Sequence, residues 1–321
     1  MRYKFYKVCI LSLVLMQLAL CGCEKKDLTD ANDGKADDEL LLEATGTTET
    51  EEILSDDEKL IKRIREEIEA KDLGVIEEMK TNLTQPEFHP EPEDEFIDQR
   101  GSVPIFRVSI KQGDVTHKKI SLSFDSGDVD SKSYIYEIMD MLDAHDMKAT
   151  FFMTYPYMKE NPQHIIDVIK RGHEVGNHSD KHSHFSKLSD EEIVREVLVP
   201  HYFVKELTGV DMCLFRFPFG EYSDRSIELL KLMGYYPIQW NLDSIDWRGE
   251  GYETLYARLV GSEKIYSGTI TLFHVWPENT PLVLPFFLDY LDELGYKSIR
   301  VSELILRHNF IMDYGKQVKA E

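Results

Sequence analysis

From Lys118 onward, short apolar runs alternate with amphipathic stretches along the chain. Residues 120–124, 149–153, 174–176, 214–217, 236–240, 270–273 and 298–301 have the length and the aromatic or β-branched character of buried strands. Between them, residues 133–144, 165–170, 191–207, 227–233, 255–262 and 286–293 carry apolar side chains at helical spacing. Pro162 stands near a helix start, and Ser189 three positions before Glu192 forms a capping-box pattern. Pro200 interrupts the helical stretch at 191–207 and predicts a kink there. About seven β/α units in succession imply a parallel sheet, and closing it into a distorted (β/α)-barrel buries its edges. A doubly wound open sheet is the rival, and it would gather the chemistry at one switch point.

The chain ahead of this region is built differently. Residues 24–55 are acidic and contain no aromatic side chain, the composition of a disordered tether. Over 56–80, Leu60, Ile61, Ile64, Ile68, Leu73 and Ile76 fall close to helical spacing and predict one or two short helices, until Pro86, Pro90 and Pro92 break the pattern. Such a segment either remains a tether or docks on a partner or on the barrel. At the very start, Arg2, Lys4 and Lys7 precede an apolar run over residues 8–20 and then Leu20-Cys21-Gly22-Cys23. The run is short for a membrane span and suits a secretory signal, and the last four residues resemble a bacterial lipobox with Cys23 as the lipidated residue. The expected organisation is a signal peptide over 1–22, an acidic tether over 23–100 and a catalytic domain over 101–321 with its core at 118–306. A lipidated N-terminus would hold the protein on the outer face of a cell membrane.

Charge and cysteines sharpen this outline. The net charge is −22, and residues 24–100 supply roughly −16 of it, from about 26 acidic and about 10 basic side chains. That excess speaks against nucleic acid as a partner. With the other three cysteines in the leader, Cys213 is alone in the folded region, so no disulfide is expected there, and a small buried hydrophobe is its simplest role. A single monomeric domain is expected.

Five polar clusters follow five of the predicted strands: Ser123-Phe-Asp125-Ser126-Gly127, His178-Ser-Asp-Lys-His182, Arg216-Phe-Pro218-Phe-Gly220, Asp243-Ser-Ile-Asp246-Trp247 and Leu272-Phe-His274. In a parallel barrel the carboxyl ends of the strands surround one active site. Neutral imidazoles four residues apart, His178 and His182, can reach one metal ion, although their polar neighbours would also suit a plain surface loop. Asp125 can take a proton from an activated water, and Gly127 lets the backbone turn and leaves room for a ligand; the same three residues would also make an ordinary strand-ending turn. Arg216 can orient Asp125, and Phe219 can offer a backbone N–H to a developing oxyanion. Asp246 can fix the tautomer of His274 and favour its protonated form, making it a general acid. Trp247 and Leu272 would form an apolar slot the size of an acetyl methyl. His184 has no matching role and defaults to solvent, and His173 reads as a hydrogen-bonded core residue.

In this order and at these spacings the clusters resemble the motifs of the polysaccharide deacetylases, carbohydrate esterase family four. The likeness runs from about Lys118 to Leu306 and includes Lys148-Ala-Thr-Phe-Phe, Gly172-His-Glu-Val-Gly-Asn-His178 and Gly295-Tyr-Lys-Ser-Ile-Arg-Val-Ser-Glu-Leu304. The resemblance implies a distorted barrel, a divalent metal, usually zinc with cobalt or manganese as substitutes, and hydrolysis of N-acetyl groups on a glycan, peptidoglycan first among them. It assigns Asp125 as base, His178 and His182 as metal ligands, Arg216 as the group orienting the base, Phe219 as oxyanion donor and Asp246 as the residue tuning the acid His274. Trp247 and Leu272 become the acetate pocket, and Asp243 supports the arginine network. The sequence departs from the family at Ser126, where an aspartate usually completes the metal triad; a hydroxyl is a poorer ligand for a divalent cation. Ser126 with water, Asp128 or Asp130 are the candidates for the third ligand. The alternatives are a non-catalytic glycan-binding lipoprotein with a degenerate metal site, or an O-acetyl esterase acting on a xylan-like polymer.

Overall fold

The computed structural model describes residues 54–82, 109–113, 117–127, 132–307 and 310–319. The signal peptide, Cys23, most of the tether, Asp128 and Asp130 lie outside the described residues. The elements, in chain order, are α1 (Asp56–Asn82), β1 (Lys119–Ile120), β2 (Leu122–Asp125), α2 (Ile135–Ala144), β3 (Ala149–Met153), α3 (Tyr155–Glu160), α4 (Pro162–Lys170), β4 (Glu174–Asn177), α5 (Asp190–Thr208), β5 (Leu214–Phe215), α6 (Asp224–Leu232), β6 (Tyr236–Pro237), β7 (Leu242–Asp243), α7 (Tyr252–Val260), β8 (Thr271–His274), α8 (Asn279–Glu293), β9 (Lys297–Ser298), α9 (Val301–Leu304), β10 (Phe310–Asp313) and β11 (Lys316–Lys319).

Seven strands form one parallel sheet in the order β6-β5-β4-β3-β2-β8-β7. Its two edge strands, β6 and β7, are joined by residues 238–241 alone. Five residue steps reach at most about 17 Å, whereas a flat seven-stranded sheet would be about 29 Å wide. The sheet must therefore curl, and the barrel expected from the β/α alternation is what forms. Ile110 bridges to Ile238 and Gln112 to Thr269, so the segment before β1 runs along the opening between the edges.

Strand register explains how the core and the polar clusters coexist. Phe124 on β2 is paired with Phe151 on β3 and Phe273 on β8, and the three rings stack 5.3 and 5.5 Å apart between centroids, fully buried. The next residue along each strand points to the opposite face. There Asp125 stands between Phe152 and His274. One alternation thus faces the helices with aromatics and the barrel interior with acid–base groups.

The helical spacing ahead of the barrel is one continuous helix, α1, started by a reciprocal cap between Ser55 and Glu58. Ile61, Ile64 and Ile68 are buried in the main core, and α1 lies against α5 and α6. Arg225 bridges Asp57 and Asp190 at 2.5 and 2.8 Å, and Arg195 reaches Glu67 at 2.6 Å. These ion pairs fix the register of a contact whose stability comes mostly from the isoleucines.

Several sequence expectations change. The run at 298–301 splits into the two-residue β9 and the short α9, because Arg300 and Glu303 close a cap on the helix. The run at 236–240 is a strand only over Tyr236–Pro237, with Ile238 adding a single bridge to Ile110, and the run at 214–217 only over Leu214–Phe215. α5 continues through Pro200. The strand β7, the helix α3 and the C-terminal hairpin β10–β11 were not anticipated. Cys213 is half-buried against the smaller core, as its apolar reading implies.

Candidate active site

The carboxyl ends of β2, β4, β5 and β8 and the turn after β7 deliver their polar clusters to one region. Arg216 is wholly buried, and its guanidinium donates to Asp125 Oδ1 at 2.7 Å, to Ser123 Oγ at 2.7 Å and to the Gln239 carbonyl at 3.3 Å. The guanidinium also lies 4.0 Å from the centroid of Phe152 and 5.5 Å from that of Trp240. Burial pushes the Asp125 carboxyl up, but the charges of Arg216, His178 and His274 and the Arg216 hydrogen bond more than offset it, so the group sits below the ordinary carboxylate range. Asp125 is therefore an anion near neutral pH.

His178 directs Nδ1 at the Arg216 carbonyl, 2.8 Å away, and turns Nε2 toward Asp125 Oδ2 at 3.5 Å. With Nδ1–H donating, the Nε2 lone pair is free for a ligand. The His182 ring lies 4.9 Å from that of His178 at 70°. Burial lowers the pKa of both imidazoles, that of His182 to about 4, so both are neutral near pH 7. The loop between them is cross-tied: Asn177 Oδ1 accepts from Ser179 N–H, and Ser179 Oγ accepts from His182 N–H, each at 2.9 Å. Ser179 and His182 are both left-handed, at φ 79° and 54°, conformations that non-glycine residues adopt only when their surroundings impose them.

Ser126 is buried, and its hydroxyl accepts the Thr154 backbone N–H at 3.0 Å. Its own N–H donates to the Phe152 carbonyl at 2.9 Å. Two neutral imidazoles, of which His178 keeps its Nε2 lone pair uncommitted to a hydrogen-bond donor, are a donor set that fits a divalent cation, with Ser126 adding a neutral, already engaged oxygen. Among the described residues no group of three or more His, Cys, Asp or Glu side chains is arranged to hold a metal ion.

On the other side, His274 Nδ1 and Asp246 Oδ1 are 2.7 Å apart. Asp246 Oδ2 accepts from the His274 N–H at 2.8 Å and from Thr280 Oγ1 at 2.7 Å. Burial lowers the His274 pKa, but the hydrogen bond and charge of Asp246, with Asp125 and Asp243 behind them, raise it above the ordinary histidine value overall. The pair is aimed by a strained turn: Ile245 has φ 61°, and its N–H is fixed by Asp243 Oδ1 at 2.8 Å. Asp243 also contributes charge near Arg216.

Phe219 has φ 58° in the turn Pro218–Gly220. Its ring is 56% exposed, stacks on His184 at 4.3 Å and meets His182 edge-on at 4.6 Å. His184, expected to be merely solvated, is thus tied to Phe219 and, 2.9 Å away, to Glu221. Leu272 is buried, whereas Trp247 is 47% exposed with the Arg248 guanidinium 5.0 Å from its ring centroid. Gly127 also has a packing reason to lack a side chain: a Cβ there would lie 2.3 Å from Cδ1 of Trp276. Trp276, whose ring centroid is 5.5 Å from that of His274, was missed in the sequence, although it stands two residues beyond the last cluster. His173 accepts the Ala149 N–H at 3.2 Å in the core, as its position suggests.

Residues 112–238 match the family model described as polysaccharide deacetylase. The chain is 32% identical to a peptidoglycan-N-acetylglucosamine deacetylase of Bacillus cereus over 59% of its own length and 88% of that protein's. The chain belongs to the polysaccharide deacetylase family. Among solved structures, a pseudoenzyme of carbohydrate esterase family 4 from Bacillus anthracis is 27% identical, with a TM-score of 0.58 over 63% of this chain and 70% of that one. A mutant of that pseudoenzyme described as having restored enzymatic activity is 28% identical, also with a TM-score of 0.58, covering 63% of this chain and 73% of that one. Polysaccharide deacetylases are hydrolases of the carbohydrate esterase class, and the curled parallel barrel is this family's fold. The solved neighbours thus include both a pseudoenzyme and a mutant of it with restored enzymatic activity.

Proposed function

We propose that this polysaccharide deacetylase hydrolyses N-acetyl groups of a cell-envelope glycan, with peptidoglycan the substrate that its relatives' activity favours. The observation that carries the reading is the pairing of β2 with β8, in which Asp125 and His274 are register partners, each held at 2.7 Å by its own orienting partner. Asp125 accepts a proton from the attacking water. The Phe219 N–H donates to the oxygen on which negative charge develops, and His274 passes a proton to the departing nitrogen. Acetate and a free glycan amine result. Trp247 and Leu272 are the candidates for holding the acetyl methyl. When held by His178 and His182, a divalent cation, zinc first and cobalt or manganese next, supplies Lewis-acid polarisation. Surface anchoring through a lipidated Cys23 would keep the domain beside its polymer.

A second reading has a specific observation behind it. The Ser126 hydroxyl, at the position where the family resemblance expects a charged ligand, is engaged with Thr154, and a solved neighbour is a pseudoenzyme. On that reading the domain binds glycan without turnover. Acetate release from chitooligosaccharide, peptidoglycan and acetylated xylan, each with zinc, cobalt or manganese, decides between them. Acetate from the N-acetylated polymers supports the deacetylase, and release from xylan alone turns the assignment to an O-acetyl esterase. Glycan binding without acetate under any metal refutes catalysis.

A further inference from the structure

We infer that Glu196 and Pro200, both on α5, are positioning residues that fix the loop carrying His178 and His182. Glu196 is a buried carboxylate, 4% exposed, that the proposed chemistry does not use. Its hydrogen bonds to the loop are three. Lys181 N–H donates to Oε2 at 2.8 Å, Ser183 Oγ donates to Oε1 at 2.9 Å, and Asp180 N–H donates to its backbone carbonyl at 2.9 Å.

The third bond explains the proline. In a regular helix the Glu196 carbonyl would accept from the N–H of residue 200, which proline lacks. Pro200 is buried within α5, and the helix continues on either side of it. The carbonyl that the proline releases is the one Asp180 uses. One residue along, the Val197 carbonyl accepts from Asn177 Nδ2 at 2.8 Å. A single turn of α5 therefore receives both ends of the segment from Asn177 to Ser183. The left-handed backbone of Ser179 and His182 needs such outside support, since a loop left to itself would relax away from it. Partners that orient metal ligands from behind have measurable effects on affinity. α1 packs on this same helix α5 and braces it.

The metal readout of the following test rests on the two-histidine reading, and the exchange readout does not. Zinc affinity is measured by competition with a chromophoric chelator for the wild-type domain and for Glu196→Ala, Glu196→Gln and Pro200→Ala. Amide hydrogen exchange at residues 180–182 is followed in the metal-free proteins. Glu196→Ala is expected to weaken zinc roughly 10-fold or more, and Glu196→Gln, which keeps one acceptor, to weaken it less. Pro200→Ala restores a helical N–H that competes for the Glu196 carbonyl. It should speed exchange at Asp180 and weaken zinc, while the melting temperature holds or rises. A merely structural role would move stability and affinity in the same direction. If Glu196→Ala does not fold, Glu196→Gln and Pro200→Ala carry the decision. Zinc affinity within two-fold of wild type in the folded variants, or unchanged exchange at Asp180 in Pro200→Ala, overturns the inference. A wild-type domain that binds no zinc refutes the metal reading, and the exchange data then decide the loop assignment alone.

Discussion

Arg216→Met keeps the apolar stem of a fully buried side chain and deletes its charge. Asp125 is then left as a carboxylate with a side chain only 6% exposed and without its ion-pair partner. Removing one member of a buried pair typically costs about 3–5 kcal/mol, because the other charge stays buried and uncompensated. Two more acceptors lose a charged donor, Ser123 Oγ and the Gln239 carbonyl. Ser123 still has its hydrogen bond to the Thr271 carbonyl, so the loss should fall in the upper half of that range, about 4–5 kcal/mol. For a domain of this size the melting temperature should drop by about 10–20 °C. Asp125→Asn alone should cost less, since Arg216 keeps two of its three acceptors. In the double variant the orphaned carboxylate is gone, and stability should recover by about 1–3 kcal/mol relative to Arg216→Met. Urea denaturation of all four proteins, compared at equal m, measures the cycle. A double variant no more stable than Arg216→Met would refute the claim that Arg216 holds Asp125 as a buried anion, and with it the base's readiness at neutral pH.

Four further outcomes follow from the same geometry. Ser126→Asp should tighten zinc binding at least tenfold by calorimetric titration; unchanged affinity would put position 126 outside the coordination sphere. His274→Ala should lower kcat by roughly 10²–10⁴ while leaving zinc affinity intact, and an active variant refutes its role as acid. Asp246→Asn removes the charge that raises the His274 pKa, so the alkaline limb of the kcat profile should move to lower pH; a limb that stays or rises would show that another group is the acid. His173 is neutral in the fold because burial lowers its pKa from 6.5 to about 4. Between those values the unfolded chain binds the extra proton, so stability should fall as pH drops through that window, by up to about 3 kcal/mol, and His173→Gln should flatten that slope in a denaturation series.

The strands that carry chemistry were readable because each is followed by a polar cluster, and a period of two then assigns Phe124 and Asp125 to opposite faces. β7 was not, since two residues cannot show a period, and its place is set by pairing with β8 rather than by its own sequence. The hairpin β10–β11 has an exposed turn at Tyr314-Gly315 and little apolar alternation to announce it. Glu196 was hidden for another reason: it sits in a helical stretch where a glutamate is ordinary, and its meaning depends on a loop 13 to 16 residues earlier in the chain. Pro200 was visible as a break in the helix, but a local rule reads a missing N–H as a kink. Here the missing N–H frees a carbonyl for another segment.

The distribution of backbone strain separates the parts of the site. Among the described residues, six non-glycine positions have positive φ, and four of them, Ser179, His182, Phe219 and Ile245, belong to the site. Each conformation costs of order ~1–3 kcal/mol, and glycine would avoid the cost. Glycine would also remove the hydroxyl that ties the loop, the imidazole, the ring that contacts two histidines, or the side chain that precedes Asp246. Ser126 differs in kind. It carries no such strain, and its hydroxyl and N–H are satisfied by the end of β3. The histidine loop and the acid–base pairs are thus held against backbone preference, whereas position 126 rests in a relaxed packing role. On the proposed function this would be a weak metal site beside a fully oriented Asp125 and His274, and one carboxylate at position 126 is the smallest change that would test whether metal affinity alone limits activity.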